Sequence, residues 1–329
     1  MISTSRRQFT AALGALSLGG IAAPVVWAQG ARGDYPNRPI KIIVPLSPGG
    51  GGDITARLIA SLLGPRLGVS IVVENRPGAG GSIGTQTAIQ SAADGYTLVM
   101  LSSSHTCNAA LRKLPFDSVN DIDPIMLLKR ESLVLVGNNK IPAKNLAELI
   151  EWAKREPGRV SYGSSGLGGI THLSMEHMAN LAGIKLNHIA YKGTGPALTD
   201  TLSGTINLML SSVAMVVPVI AEKRALGLAI ADKRISALPD VPSFQEAGIP
   251  DFKSDLWHAV AGPKGMPAEI VTRLNSELRA VLELPEMQER LKAEGSQPEG
   301  GSPEQLRQTI VHDIGQWKAV IKKAGIKAE

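Results

Sequence analysis

The sequence predicts an α/β protein built as two lobes with a ligand cleft between them. Three observations support this fold class. Short β-branched strands alternate with amphipathic helices, which is typical of parallel α/β sheets. Most strands end in glycine- or serine-rich segments instead of bulky side chains. A strand, a glycine loop and a helix occur near residue 40 and again near residue 160. Ligands bind at the carboxyl ends of strands in open α/β sheets, so two such units predict two lobes facing one cleft.

The first 28 residues are predicted to form an export signal and not part of the fold. Arg6-Arg7 precedes an apolar run from residue 11 to residue 26, and Ala28 is a small residue at the expected cut. The paired arginines resemble a twin-arginine signal, so we expect an exported, periplasmic protein that is cleaved after Ala28. A retained membrane span is the alternative, but glycines and Pro24 interrupt the run.

Length, composition and charge predict a globular protein that does not bind nucleic acid. The 329 residues suggest about two domains, and 43% hydrophobic residues suffice for real cores. The chain has 34 basic and 29 acidic residues, so loss of Arg6 and Arg7 with the signal lowers the net charge from +5 to +3. We find no basic block with interleaved aromatic residues. Cys107 is the only cysteine, so no intramolecular disulfide can form, and we expect it to be buried filler.

The stretch from Ile40 to Leu63 predicts the first strand–loop–helix unit. Residues 40–44 form a β-branched run that suits a strand covered on both faces. The segment Pro48–Gly52 has almost no side chains, and an apolar stripe at helical spacing follows Asp53. A helix that starts after such a loop presents backbone N–H groups and the positive end of its dipole. We therefore expect an anion-binding loop here, with a flexible turn as the alternative.

Two more strands complete the first unit, at residues 69–74 and 96–101. A glycine-rich segment follows the first of them, and Ser102-Ser103-Ser104 follows the second. In a parallel sheet these strand ends lie on one edge. Ser103 and Ser104 are therefore candidate ligand donors.

A second unit begins near Ser132 and repeats this design. Its first strand, at residues 132–136, precedes a helix with Asn145 and Glu148 in a capping-box pattern. A strand at 160–162 then leads through a glycine-rich loop into a helix that starts near Ile170. Two further strands end in small or hydroxyl residues: the strand at 186–191 leads into 192–196, and the strand at 206–210 leads into Ser211-Ser212.

A strand, a short apolar run and three helices close the chain. A strand is expected at 225–230, a short apolar run follows at 256–260, and the helices are expected at 267–282, 285–293 and 303–324. Each of these helices begins at a proline, which favours the first helical position. We expect lobe 1 to comprise residues 29–131 and 254–329 and lobe 2 to comprise residues 132–253. The two crossings between the lobes would then form a two-segment hinge.

Motifs for a nucleotide cofactor, a nucleophile and a metal ion are all incomplete. Glu74 lies 22 residues after Gly52, as in a dinucleotide-binding unit, but neither Gly-x-Gly-x-x-Gly nor a Gly-Lys-Ser/Thr phosphate loop occurs. The run Gly163–Leu167 lacks the final glycine of a nucleophile elbow. His172 and His177 are five residues apart, which places them about 140° apart on a helix. We therefore expect no enzyme activity, no cofactor and no bound metal.

A set of hydrogen-bond donors suited to a carboxylate remains. Backbone N–H groups and hydroxyls hold a carboxylate without a salt bridge, partly through water. His172 is either a donor in the pocket wall or a hydrogen-bonding residue of a first helical turn. Asp53 either neutralises a helix start or binds an amino group on the ligand. The remaining single histidines are expected to be structural or surface residues, namely His105, His188, His258 and His312.

Seven motifs are spaced along the chain: Tyr35-Pro36-x-Arg38-Pro39-Ile40, Val44-Pro45-x-x-Pro48-Gly49-Gly50, Val73-Glu74-Asn75-Arg76-Pro77-Gly78-Ala79-Gly80-Gly81, Asp94-Gly95-Tyr96-Thr97-Leu98, Tyr191-Lys192-Gly193, Leu238-Pro239-Asp240-Val241-Pro242 and Ala324-Gly325-Ile326-Lys327. Together they resemble the Bug family, the extracytoplasmic solute receptors of tripartite tricarboxylate transporters. The resemblance covers essentially the whole chain after the signal.

This resemblance implies a fold like that of type II periplasmic binding proteins, with two Rossmann-like lobes that close on a small carboxylate. Two features depart from the family pattern: Leu46 stands where the family usually has an aromatic residue, and the paired-arginine signal is less usual than an ordinary secretory one. The implied ligand-binding residues, with Ser103, Ser104 and Ser211 added from the strand ends, are Pro48, Gly49, Gly50, Asp53, Ser164, Ser165, Gly168, Thr171, His172, Gly193 and Thr194.

The sequence thus predicts an exported, monomeric receptor that is not an enzyme. It would capture a dicarboxylate, a tricarboxylate, an amino acid or an aromatic acid and deliver it to the membrane permease of a tripartite transporter. The alternative is a ligand-presenting subunit of a membrane sensor kinase, and an enzyme is the third hypothesis.

Overall fold

Strands and helices alternate along residues 35–327, the part of the chain that the computed structural model describes. The predicted α/β class is confirmed, while the predicted export signal lies outside the described residues. The strands are β1 (Ile40–Val44), β2 (Ile71–Asn75), β3 (Thr97–Ser102), β4 (Ile122–Glu131), β5 (Leu133–Gly137), β6 (Ser161–Ser164), β7 (Asn187–Ala190), β8 (Leu208–Ser212), β9 (Leu226–Ile230), β10 (Leu256–Pro263) and β11 (Gln297–Gly300). The helices are α1 (Gly51–Leu67), α2 (Ser82–Ile89), α3 (Ser103–Leu111), α4 (Leu146–Arg155), α5 (Ile170–Ala182), α6 (Thr194–Ser203), α7 (Val213–Ala221), α8 (Ala268–Leu282), α9 (Pro285–Glu294) and α10 (Pro303–Ala324).

The strands form two sheets. The first has six strands in the order β11-β4-β10-β3-β1-β2, and the second has five in the order β7-β6-β8-β5-β9. The expectation of parallel pairing holds for β2-β1-β3 and for β7-β6-β8. It is wrong for the other strands: β10 runs antiparallel to β3 and β4, and β5 runs antiparallel to β8 and β9. These antiparallel strands lie next to the places where the chain passes from one sheet to the other.

The two crossings between the sheets lie side by side. β4 ends at Glu131 in the first sheet, and β5 starts at Leu133 in the second, so Ser132 alone separates them. The chain returns to the first sheet at Leu256, which pairs with Glu131 in the β4–β10 ladder. The outgoing and returning segments are therefore hydrogen-bonded to each other along β4 and β10.

Local signals place several element boundaries. Asn145 caps α4, and its side chain accepts a hydrogen bond from the Glu148 N–H at 2.9 Å. The Glu148 carboxylate reaches the N–H of Lys144 instead of that of Asn145, so the capping box is incomplete. α10 runs from Pro303 to Ala324 as predicted, whereas α1 starts at Gly51, two residues earlier than expected.

Four elements were not predicted from the sequence, and the short strand β11 is one of them. β4 ends in Lys129-Arg130-Glu131, a charged run that reads as surface although Lys129 and Glu131 are buried. α3 begins within the serine run after β3, and α7 contains Pro218, which argues against a helix on sequence grounds. Among the described residues, no helix combines the length and apolar character needed to span a bilayer.

Candidate ligand-binding site

Five helices begin at the carboxyl ends of parallel strands. α1 follows β1, α3 follows β3, α5 follows β6, α6 follows β7 and α7 follows β8. None of these five is capped by its own N-cap side chain. The first N–H groups of a helix have no partner within the helix, and they carry the positive end of its dipole. The strand-end edges of both sheets therefore favour anionic groups.

Asp53 shapes the glycine loop in front of α1. Its Oδ2 accepts hydrogen bonds from the Gly49 N–H at 2.9 Å and from Arg57 Nε at 3.1 Å, and its Oδ1 accepts one from Asn75 Nδ2 at 3.0 Å. Burial alone raises the pKa of this carboxyl, but the hydrogen bonds from Arg57, Gly49 and Asn75 outweigh it, so the pKa lies below its usual value. Both oxygens are engaged by the protein itself, which favours the first of the two sequence interpretations, neutralisation of the helix start.

Side-chain hydroxyls fold the loop in front of α5. Thr171 Oγ1 accepts a hydrogen bond from the Ser165 N–H at 2.8 Å and donates one to Ser165 Oγ at 3.0 Å. Ser164 Oγ accepts one from the Gly166 N–H at 3.1 Å. The three hydroxyl residues are buried, so the loop is held by internal contacts and keeps its shape independently of solvent.

Two stacked histidines support the same loop. His172 Nδ1 accepts a hydrogen bond from the Gly168 N–H at 3.3 Å, and its ring lies 4.1 Å from that of His188. His188 Nε2 is hydrogen-bonded to Ser164 Oγ at 2.7 Å. Burial, helped by the neighbouring His188, lowers the pKa of His172 to about 3, and burial lowers that of His188 to about 4. Both rings are therefore neutral at neutral pH, and His172 acts as the first-turn hydrogen-bonding residue among the two roles left open by the sequence.

The loop in front of α1 lies against the segment in front of α6. The Ser47 N–H donates a hydrogen bond to the Lys192 carbonyl at 3.0 Å. A Cβ placed on Gly50 would lie 3.0 Å from Thr194 Oγ1, so the two backbones approach closely where neither has a large side chain. The same approach brings Pro48 against Gly195 and Ser47 against Gly193.

A second set of contacts joins α3 to the loop in front of α5. Ser104 Oγ accepts a hydrogen bond from the Ile170 N–H at 3.1 Å. A Cβ on Gly168 would lie 2.7 Å from Asn108 Oδ1. In both sets of contacts, residues from strand ends of the first sheet therefore meet residues from strand ends of the second sheet.

Three of the residues named from the sequence have their side chains engaged elsewhere. Ser103 Oγ donates to the Asp255 carbonyl and accepts from the Trp257 N–H, at the returning crossing. Ser211 Oγ donates to Met215 Sδ at 3.2 Å. The third is Asp53, described above.

Sequence reasoning missed Ser47, Asn108 and Ser212 as residues of this region. Ser212 Oγ is buried without a hydrogen-bond partner among the described residues and faces the backbone of Gly51 across the contact. Asn108 lies four residues after Ser104 on α3, so helical spacing puts both on one face. Period counting within α3 would have found Asn108, whereas the partner of Ser212 depends on how the two sheets meet.

The hydrogen-bond donors suit the binding of an anionic ligand better than they suit a catalytic or metal site. Within residues 35–327, no group of three or more His, Cys, Asp or Glu residues is placed to hold a metal ion. Hydroxyls, backbone N–H groups and five helix N-termini supply donors and positive partial charge. Ser164 and His188 form a Ser–His pair, but no acidic side chain is hydrogen-bonded to His188 in the described part of the chain. Such an arrangement can bind and orient a carboxylate through neutral and water-mediated hydrogen bonds.

Comparisons with known proteins agree with this description. The family model for the tripartite tricarboxylate transporter family receptor matches residues 55–326. The chain is 37% identical over 316 residues to Protein BugT of Bordetella pertussis, covering 95% of each protein. It is similar to the structure of the periplasmic binding protein BugD (32% identity, TM-score 0.87, covering 90% of this chain and 100% of that one). It is also similar to Rpa4515 of R. palustris, solved with adipate (32% identity, TM-score 0.86, covering 89% and 99%). The chain therefore belongs to the tripartite tricarboxylate transporter receptor family, whose Bug-type members are periplasmic solute-binding proteins and not enzymes.

Proposed function

We propose that this protein captures a small organic carboxylate between its two sheets and delivers it to the membrane permease of a tripartite transporter. The observation that carries the proposal is the set of five helix N-termini at the strand ends of both sheets. The adipate in the similar protein Rpa4515 supports a carboxylate ligand.

The ligand-binding residues would come from both sides of the contact region. Gly49 and Gly50 bring the N-terminus of α1, and Ser104 lies at the start of α3. Gly168 and Thr171 bring the start of α5. No single loop offers enough donors for two carboxylate groups, so the closed arrangement would bind the ligand better than an open one. The remaining proposed ligand-binding residues are Pro48, Ser164, Ser165, Gly193 and Thr194.

The lobes proposed from the sequence would move about the paired crossings. Residues 29–131 with 254–329 would form one lobe and residues 132–253 the other. β4 and β10 pair at the crossing, so few residues would need to bend when the cleft opens.

A thermal screen tests the carboxylate assignment. A ligand at one hundred times its dissociation constant stabilises the folded state by about 2.7 kcal/mol, which corresponds to a rise on the order of 5 °C in the unfolding midpoint. We expect hits among mono-, di- and tricarboxylates and small aromatic acids. A sugar or a cation as the best stabiliser contradicts the proposal.

The delivery step needs its own test. Purified receptor loaded with the best acid should drive uptake of that acid into vesicles that contain the permease, and unloaded receptor should not. Acid that remains bound to the receptor in the presence of the permease argues against delivery.

Export and processing form a separate part of the proposal. The family supports a periplasmic location, and we place the cleavage after Ala28 because polar sequence starts at Gln29. N-terminal sequencing of exported protein should begin at Gln29. A mature protein that begins at Met1 or Ile2 contradicts this part alone.

A further inference from the structure

Four ionisable side chains are buried together where the chain crosses between the sheets. Lys129 and Glu131 lie on β4, His258 lies on β10, and Glu294 lies on α9, each with a side chain no more than 6% exposed. Lys129 Nζ lies 3.0 Å from Glu294 and 3.6 Å from Glu131. Glu294 is also paired at 2.6 Å with Arg290, which is half exposed. Glu131 is therefore the acid of this group with the weaker charge compensation.

Glu131 lies between the starts of two helices that belong to different sheets. Its Oε2 accepts a hydrogen bond from the Ala214 N–H of α7 at 3.4 Å. A Cβ placed on Gly51, in the first turn of α1, would lie 3.2 Å from Glu131 Oε1 and 2.6 Å from Ser212 Oγ. The carboxylate thus touches the first turns of α1 and α7, where positive partial charge favours the ionised form and opposes the effect of burial.

Three buried polar atoms meet in this place without a hydrogen-bond partner among the described residues. They are Glu131 Oε1, His258 Nδ1 and Ser212 Oγ. His258 Nδ1 lies 3.3 Å from Glu131 Oε1. Buried polar atoms that face each other in this way are costly unless a proton lies between them. That proton is carried either by Nδ1 of the neutral His258 ring or by the Glu131 carboxyl.

We propose that Glu131 is a positioning residue of the cleft that binds a proton as the two sheets close on each other. This role of Glu131 rests on the proposed function, in which the two sheets close around a ligand. When α1 and α7 are together, Glu131 is sealed from water and its protonated form is favoured. When they separate, water reaches the carboxylate and the charged form is favoured.

The charges that face Glu131 support this direction. Burial raises the pKa of Glu131, and the negative charge of Glu294 raises it further. Together these effects outweigh Lys129 and the hydrogen bond from the Ala214 N–H, which lower the pKa. Burial lowers the pKa of His258 well below its usual range, so this ring stays neutral and does not supply a charge. α1 and α7 contribute backbone and Ser212 at this place. A group whose pKa is higher in the closed form stabilises that form at low pH, and this stabilisation is lost as the pH rises through the raised pKa.

The distance across the cleft can be measured directly in the ligand-free protein. Ser61→Cys on α1 and Ser203→Cys on α6 place spin labels on exposed positions of helices from different sheets. Cys107 is buried, and burial raises the pKa of its thiol, so it should not take up label. Double electron–electron resonance then reports the ratio of short to long distances at each pH.

We expect the closed-to-open ratio of the otherwise native protein to rise as the pH is lowered from about 8 to about 5, by up to tenfold per pH unit while one proton is bound. Glu131→Gln mimics the protonated acid and should give a ratio that does not change with pH. Glu131→Asp keeps an ionisable group and should restore a pH response. Asp313→Asn, which removes a partly buried acid that accepts from Trp257 Nε1, should respond as the native protein does.

The proposal is overturned if the closed-to-open ratio of Glu131→Gln changes with pH as it does in the native protein. It is also overturned if the distances in the native protein do not change with pH, a result that needs no folded Glu131 variant. No ligand is used in this measurement. The role of Glu131 can therefore be tested even if no carboxylate is found to bind. Conversely, strong carboxylate binding with no pH response contradicts only the role of Glu131.

Discussion

The carboxylate of Asp53 decides the shape of the glycine turn in front of α1. It is buried, and it joins Gly49, Arg57 and Asn75 through three hydrogen bonds. The Asp53 carboxylate thereby holds two neutral donors and the half-exposed Arg57 in place. It does so without any contact to a ligand. An aspartate in such a loop could bind an amino group of a ligand, but Asp53 instead stabilises the loop.

Asp53→Asn should lower the free energy of unfolding by about 1–2 kcal/mol at pH 7, because hydrogen bonds to a charged acceptor are replaced by weaker ones. The pKa of Asp53 is depressed in the folded state, so its contribution is present above the unfolded pKa and is lost as the pH falls through the folded value. Urea unfolding at several pH values checks this. Glu222→Gln, from an exposed ion pair with Arg224, should cost less than about 0.5 kcal/mol. Equal losses in the two variants contradict the role of Asp53.

His188 should contribute to acid sensitivity. Its pKa falls from 6.5 to about 4 on folding, so the unfolded chain binds a proton in this range while the folded protein does not. Stability is therefore lost on acidification from about pH 6.5 to about pH 4. His188→Phe keeps an aromatic ring against His172 but removes this loss, so its unfolding free energy should fall less over the same range. His312→Phe, at an exposed position on α10, should behave as the native protein does.

At the scale of elements, capping residues explain which helix boundaries can be predicted from the sequence. Ser302 and Gln305 form a complete capping box at the start of α10, and Gly325 ends it in the left-handed conformation. These signals are local, so sequence reasoning places both ends. β4 carries no such signal, because its charged end is buried by partners that come from β10 and α9.

Ser302→Ala should reduce stability by about 1 kcal/mol, because the Gln305 N–H loses its acceptor. Ser61→Ala is the control, since that hydroxyl only donates to a helix carbonyl on an exposed surface. We expect chemical denaturation to show a change below about 0.5 kcal/mol for the control. Similar values for both variants contradict the capping role.

The loop in front of α5 gives a test of contact between elements of the two sheets. Gly168→Ala puts a methyl group 2.7 Å from Asn108 Oδ1 at a φ of +77°, so it should oppose closure and weaken binding of the best carboxylate by roughly tenfold or more. Gly183→Ala, at the end of α5, has a similar φ of +63° and open space around it. It should cost similar backbone strain and leave affinity unchanged. Calorimetric titration distinguishes the two variants.

The candidate site could be predicted from the sequence only at the level of strand ends. Ser104, Gly168 and Thr171 come from segments after strands whose glycine- and serine-rich composition already marks them. Their partners across the contact follow from how two sheets pack, which no local pattern encodes. The contact of Asn108 with Gly168 and that of Ser212 with Gly51 are therefore visible only in the folded molecule.

For the whole molecule, closure should be visible in solution. Saturating carboxylate should reduce the radius of gyration measured by small-angle scattering, because the two lobes approach as rigid bodies. Circular dichroism should barely change, since no helix or strand forms or melts. An unchanged radius with a bound acid contradicts closure and places the site within one lobe or in lobes that are already locked together. Loss of binding in Thr171→Val then excludes a site within residues 29–131 and 254–329 alone, because it places α5 in the site.

The position of β10 also has a consequence for the order in which the nascent chain can fold. β10 lies between β3 and β4, yet it is synthesised only after every strand of the five-stranded sheet. Until it arrives, the facing edges of β3 and β4 are unpaired, and both strands are largely apolar. The five-stranded sheet is contiguous in sequence and needs no later strand. In pulsed hydrogen exchange during refolding, β5 to β9 should gain protection first and β3, β4 and β10 last, so a chaperone that shields a late intermediate should bind those two open edges.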